Sequence, residues 1–417
     1  MIRTVSALSA LLIAAAILYS GNGLQFTLIS VRGNIEGFST PLIGAIMSAY
    51  YAGFILGCRI TPGFIKSVGH IRTFVALASI ASAAALAHAL IVNVALWALL
   101  RALSGVCFAG LAMVLESWIN ERVTNENRGR VLSVYRIVDL LALTAGNALL
   151  ATADPAEFHL FALASILVSV ALVPVALSRS EAPQPVQTAR LDIRKLFAVS
   201  PVASVGVLMV GLANAAFWSV GPIFVQRMQY GADVIAAFMS SVIIGAAVAQ
   251  WPLGWLSDKI DRRFVIAGAG LASAAAAVGL ARFGGQSEPF LLAVAAGLGA
   301  VMIPMFGLCV AHANDQSEAD SAVETNGGLL LLHGLGSVAG AFVGASVMSA
   351  FGPPSLFYYI AGVYVLLSGF CLYRITRRAS VPDEDKTPFV PLPKGAAPTI
   401  FEISHEDEEE EAAQRSA

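Results

Sequence analysis

Charge is scarce in this chain. Of its 417 residues, 12% are Asp, Glu, Lys or Arg and 57% are hydrophobic, where a soluble domain carries about 25% charged residues. An ordinary water-soluble globule is excluded. The net charge is only −2, so nothing electrostatic favours a nucleic-acid partner, and basic residues have to be read by position. Cysteine is sparse: Cys58, Cys107, Cys309 and Cys371 sit singly in apolar stretches, too far apart for metal-ligand spacing, and read as small packing residues. No Gly-Lys-Ser/Thr phosphate loop occurs, which speaks against ATP-driven transport within the chain. Neither a cluster of His and carboxylates nor a nucleophile beside its base occurs, which speaks against a membrane enzyme. No cofactor and no metal are expected.

Long apolar runs are abundant. A helix crossing about 30 Å of hydrocarbon needs roughly 20 apolar residues, and such stretches recur twelve times, from 5–27 through 201–222 and 289–311 to 355–374. Lys66, Arg72, Arg122, Arg179, Arg194, Lys195, Lys259 and Arg374 fall in one alternating set of connections, and the opposite set offers only Arg32, Arg227 and Arg282. Lys and Arg resist translocation, so both termini are expected in the cytoplasm of a cell with an inner membrane. A cleaved signal peptide at the first run is the alternative; the even number of runs favours a retained anchor. The expected organisation is all-α and integral to the membrane. A six-helix bundle spans 1–178, a cytoplasmic linker 179–200, a second six-helix bundle 201–378 and an acidic tail 379–417, whose composition is that of a disordered solvated segment.

One loop carries an ordered pattern, Gly254-Trp-Leu-Ser-Asp258-Lys259-Ile-Asp261-Arg262-Arg263. It resembles the GxxxD(R/K)xGR(K/R) loop of the major facilitator superfamily, with Asp261 where a second glycine is usual. Gly254 would permit close helix approach, Asp258 would accept hydrogen bonds from a helix N-terminus, and Lys259, Arg262 and Arg263 would hold the loop in the cytoplasm. The equivalent place in the first half keeps Gly69 and a basic flank, but Lys66 replaces the acid and Ser67 the base. Arg101, Gly105 and Gly110, then Arg128-Gly129-Arg130, Gln250-Trp-Pro-Leu-Gly254, Gly336 and Gly340 look like the YcaD-type branch of that superfamily. The resemblance implies a twelve-helix transporter of two pseudo-symmetric bundles. It would be monomeric and would move a small solute by alternating access, with gating residues in these loops. The fifth run lacks the paired GP and GG elements of many drug/proton antiporters, so antiport gains no support.

Ionisable groups inside a span cost about 3 kcal/mol or more unless paired or wetted, so each is a functional suspect. Arg101 would hold an anion, oppose a proton-carrying acid, or snorkel to the surface. Glu116 and Asp139 fall near the inner ends of their helices, where they form either a gate-holding ion-pair network with Arg136 and its basic neighbours or a titrating, proton-coupling acid. Arg136 and Asp139 stand three apart and can pair with each other. His88, His312 and His333 have no helically spaced partner ligand and read as packing or hydrogen-bonding residues. The resemblance places the substrate between the halves, against Asn22 and Gln25 of the first helix, Asn214 and Trp218 of the seventh, and Met305 of the tenth, with Met302 and Phe306 adding an apolar wall. A transporter-shaped sensor signalling through the tail is the rival reading.

Overall fold

The computed structural model describes residues 2–121, 128–176, 192–317 and 322–377, together with Lys386 and Phe389. A backbone in hydrocarbon must satisfy its own N–H and C=O groups, so the apolar runs fold as helices. The first six crossings are α1 (Ile2–Ile35), α2 (Thr40–Val68), α3 (His70–Leu90), α4 (Val94–Glu121), α5 (Arg128–Ala148), and α6 with α7 (His159–Val170 and Leu172–Ala176). After the short α8 (Ile193–Val199) come α9 (Pro201–Arg227), α10 (Ala232–Lys259), α11 (Arg262–Phe283), α12 with α13 (Glu288–Met302 and Met305–Asn314), α14 (Ala322–Phe351) and α15 (Ser355–Ile375). Among the described residues, twelve segments are long and apolar enough to cross a membrane.

The helices overrun the apolar stretches that predict them. α1 continues past residue 27 to Ile35, and α9 carries Pro222 inside it and runs on to Arg227. Arg32 and Arg227 therefore occupy last helical turns rather than loops. The tenth crossing breaks between Met302 and Met305, where Pro304 supplies no N–H to the ladder. Gly69 separates α2 from α3 with φ +85°, and a Cβ there would meet nothing within 4 Å. The backbone conformation, not space, is what calls for glycine at that turn.

Helix pairing repeats between the halves. α2 packs on α4 as α10 packs on α12, α1 on α5 as α9 on α14, and α3 on α6 as α11 on α15. The closest approaches repeat too: a Cβ on Gly53 or on Gly245 would fall 1.9 Å from the carbonyl oxygen of Ala102 or Ala296. Small residues let membrane helices touch backbone to backbone, which is how such bundles cohere without a hydrophobic drive. Gly245→Val should push α10 off α12, and the variant is expected to elute from size exclusion as aggregate while Gly268→Val, with open space around its Cβ position, elutes normally.

The halves meet along two seams, α2 against α14 and α5 against α10. Turns rich in Lys and Arg lie at one end of the helices, here the basic face, and the turns between α1 and α2 and between α9 and α10 lie at the far face. Of the linker expected at 179–200, residues 192–200 are described, with Asp192 capping α8 through Lys195 N–H. Of the tail, only Lys386 and Phe389 are described, and both rest on the body of the protein.

Candidate functional site between the halves

A cavity of about 160 Å³ lies at the seam, walled by α1, α2, α4, α5, α9 and α14. Aromatic rings dominate its wall: Tyr19 and Phe26 from α1, Tyr50, Tyr51 and Phe54 from α2, and Trp218 from α9. Helix periodicity explains the grouping, since residues three or four apart share a face. Polar groups are few. Thr27 donates to Asn147 Oδ1 at 2.6 Å, and Asn147 Nδ2 donates to the Leu143 carbonyl at 2.9 Å. Asn22 Nδ2 reaches Tyr50 at 3.4 Å, while its Oδ1 is buried and accepts no hydrogen bond among the described residues.

The expected cavity residues divide. Asn22 and Trp218 line the wall. Asn214 instead accepts 2.9 Å from the buried Tyr364 hydroxyl inside the second bundle, and Met302, Met305 and Phe306 are buried in the core. Gln25 is buried on α1 and is not part of the cavity wall; its Nε2 finds no partner among the described residues. A 3.6-residue repeat gives the direction of a side chain only once the axis and its neighbours are known, so helix identity alone could not sort these seven.

The charged residues lie deeper than sequence position implies. Asp139 is on the cavity wall, about 16 Å along α5 from its start at the basic face. Its carboxylate accepts 2.5 Å from Arg136, and Arg136 Nε reaches Gln250 of α10 at 3.3 Å across the seam. Glu116 is 1% exposed and accepts 3.3 Å from the Tyr135 hydroxyl, which shares a 2.8 Å hydrogen bond with Tyr19 on the cavity wall. A chain of oxygens therefore runs from the buried Glu116 carboxylate to the cavity. Tyr19 and Tyr135 were absent from the sequence expectation because tyrosine in an apolar run reads as packing. His333, read as packing, also lines the cavity, whereas His88 stacks on Phe161 and His312 sits near Gln316.

Arg101 does not snorkel. It is fully buried, its guanidinium 4.9 Å from the Phe26 ring centre and 4.4 Å from that of Tyr50, two rings of the cavity wall. None of its side-chain nitrogens has a hydrogen-bond partner among the described residues.

At the far face three hydrogen bonds among the described residues join the halves: Asn34 Nδ2 to Gln226 Oε1 at 3.0 Å, Arg227 Nη2 to Thr40 Oγ1 at 2.6 Å, and Ser30 Oγ to the Ser219 carbonyl at 2.7 Å. At the basic face the loop around Asp258 is a network. Arg262 donates 2.9 Å to Asp258, 2.8 Å to Ser257 and 2.7 Å to Asp315 at the end of α13. Lys259 lies over the Trp255 ring. The helix cap is Asp261 rather than Asp258: its side chain accepts from the Arg263 N–H that opens α11, at 3.0 Å. Asp at the glycine position thus supplies an N-cap anion to the helix dipole. The side chains of Arg128 and Arg130, at the start of α5, lie outside the described residues.

Burial works against the Asp261 carboxylate, yet the hydrogen bonds and charge of Arg263 hold its pKa below the ordinary value. A depressed folded pKa stabilises fully above the unfolded value, about 4, and the stabilisation disappears as pH falls through the folded one. Asp261→Asn should therefore lower the melting temperature by a constant amount from pH 8 to pH 5, with the difference closing only below about pH 4. A difference that grew on acidification would refute this.

The description "Major Facilitator Superfamily" belongs to a family model that matches residues 11–326 and 203–405 in two overlapping stretches. The chain is 23% identical over 352 residues to the MFS-type transporter YcaD of Escherichia fergusonii, covering 83% of this chain and 90% of that one. It is 24% identical over 377 residues to an MFS-type transporter of Yersinia pestis, covering 87% and 92%. Two solved structures share the fold: the nucleoside transporter NupG, TM-score 0.73 at 13% identity over 89% of this chain and 100% of that one, and a bacterial homologue of the human lysosomal transporter Spinster, TM-score 0.72 at 14% identity over 90% and 97%. With its sequence matched from residue 11 to residue 405 and its twelve crossings paired in two like halves, the chain belongs to the Major Facilitator Superfamily and is a multi-pass, YcaD-like membrane transporter, not an enzyme.

Proposed function

We propose that the chain is a secondary transporter that exposes the seam cavity alternately to the two faces of a bacterial inner membrane and couples that movement to protons. The observation that carries this reading is the cavity's place between two pseudo-symmetric halves, with the halves joined beyond it by the Asn34–Gln226, Thr40–Arg227 and Ser30–Ser219 contacts. Parallel repeats rocking about a midplane site open one side as they close the other. Residues 1–178 and 201–378 are the rocking bodies, and the basic face is cytoplasmic, with both termini on it, because Lys and Arg resist translocation. One chain contains both halves and the whole cavity wall, so a monomer suffices.

The wall chemistry narrows the cargo. Rings offer stacking surface, and Asn22 Oδ1 offers one unoccupied acceptor, which suits a small planar or aromatic solute with a hydrogen-bond donor. Coupling is assigned to Glu116, connected to the cavity through Tyr135 and Tyr19. A proton shifts the conformational equilibrium only by binding the two states unequally, and a carboxylate buried in one state and wetted in the other does so.

The test is purified protein in liposomes carrying an imposed pH gradient, screened with planar aromatic solutes for solute-dependent collapse of the gradient. Solute flux that ignores the gradient would remove proton coupling while leaving transport intact.

A further inference from the structure

The chain's own tail lies on the signature loop. The Phe389 ring fills the space above Gly254, where a Cβ would fall 2.3 Å from its edge. The Phe389 N–H donates to both oxygens of Asp258, at 3.1 and 3.3 Å, and Lys386 Nζ donates 3.0 Å to the carbonyl of Ile260, the C-cap of α10. A ring, an amide and an ammonium thus address three places along one helix end. The Gly254 position, expected to admit a neighbouring helix, admits the tail instead.

That helix end borders the seam. Gly254 is one turn from Gln250, which accepts from Arg136 of α5 across the halves, and residues four apart share a face. By helix periodicity the ring sits on the side of α10 that carries Gln250, at the basic face, while Asn34–Gln226 and Arg227–Thr40 join the halves at the far face. For two bodies rocking about a central site, a wedge at one end and a latch at the other favour the same state.

We propose that the inner end of α10 is a docking surface for the tail, and that Lys386 and Phe389, docked there, hold the transporter in its far-face-closed state and restrain its turnover. Undocking frees the inner end of α10, beyond the Arg136–Gln250 contact, to close on the first half and lets the far face open. The inference rests on the alternating-access reading.

The test needs no knowledge of the cargo. Cysteines replace Asn34 and Gln226 in the full-length protein, whose four native cysteines are buried. The rate at which a maleimide labels the new pair in detergent reports opening of the far face. Trypsin cleavage after Lys386 reports undocking. In the parent the site after Lys386 should resist trypsin, and labelling should be slow; Phe389→Ala and, independently, Gly254→Leu should expose the site and speed labelling several-fold. Rapid cleavage of the parent, or exposure without faster labelling, overturns the proposal. If the pair resists maleimide in every variant, even in a chain ending at residue 377, while oxidation cross-links it fully, the far face never opens. Alternating access then fails and takes the wedge with it.

Discussion

Glu116→Gln is expected to abolish solute accumulation driven by a pH gradient while leaving solute exchange across the membrane intact. One pH unit corresponds to about 1.4 kcal/mol, or a tenfold concentration ratio for a one-to-one coupled carrier. With two units imposed, the parent should accumulate its solute about 100-fold and the variant should stop near equality. Gln keeps the shape and can still accept from Tyr135 but cannot bind or release the proton. Tyr135→Phe separates relay from site: it interrupts the oxygen chain from Tyr19, so accumulation should be slower by about 100-fold, the low end of what a positioned proton-transfer group contributes, yet reach the same final ratio. Equal final ratios for Glu116→Gln and the parent would refute the assignment. Asp139 is a poor control, because removing it strands Arg136 in a site where both are nearly buried, a loss of about 3 kcal/mol or more.

Arg101→Met should raise thermal stability while abolishing or strongly reducing transport. A guanidinium in the middle of a bundle costs about 3 kcal/mol, and this one recovers only what two aromatic faces return, about 2 kcal/mol, with no hydrogen bond among the described residues. Met fills similar volume without the desolvation cost. A stability cost of that size is retained where another conformation uses the group, which for Arg101, buried behind two wall rings, would be the state in which those rings separate and the charge meets water or cargo. Differential scanning fluorimetry beside liposome flux checks both halves of the statement. A variant that melts lower and transports normally would make Arg101 a structural residue held by its ring contacts.

How far the sequence reads depends on how local the interaction is. Arg136 and Asp139 are three residues apart, and their pairing follows from helix geometry alone. Arg262 meets Asp315 only because α11 and α13 are neighbours, which no spacing rule reports across 53 positions. The Asp261 cap is legible in the sequence: an Asp two residues before the helical N–H it caps is a helix-start signal, whereas the superfamily loop pattern places its acid at Asp258. Glu116 was legible as a buried acid, but its route to the cavity passes through two tyrosines on different helices, α5 and α1.

The amino-acid sequence alone determined the membrane setting, the twelve crossings, the basic face and the family, because hydropathy, loop charge and a short ordered motif are properties of contiguous chain. Only the tertiary structure decided which residues face the cavity, that Arg101 is sealed behind Phe26 and Tyr50, and that Phe389 occupies the space over Gly254. Those facts depend on the rotation of each helix about its own axis and on segments far apart in the chain, and both are set by how small residues such as Gly53 and Gly245 let the helices close on one another.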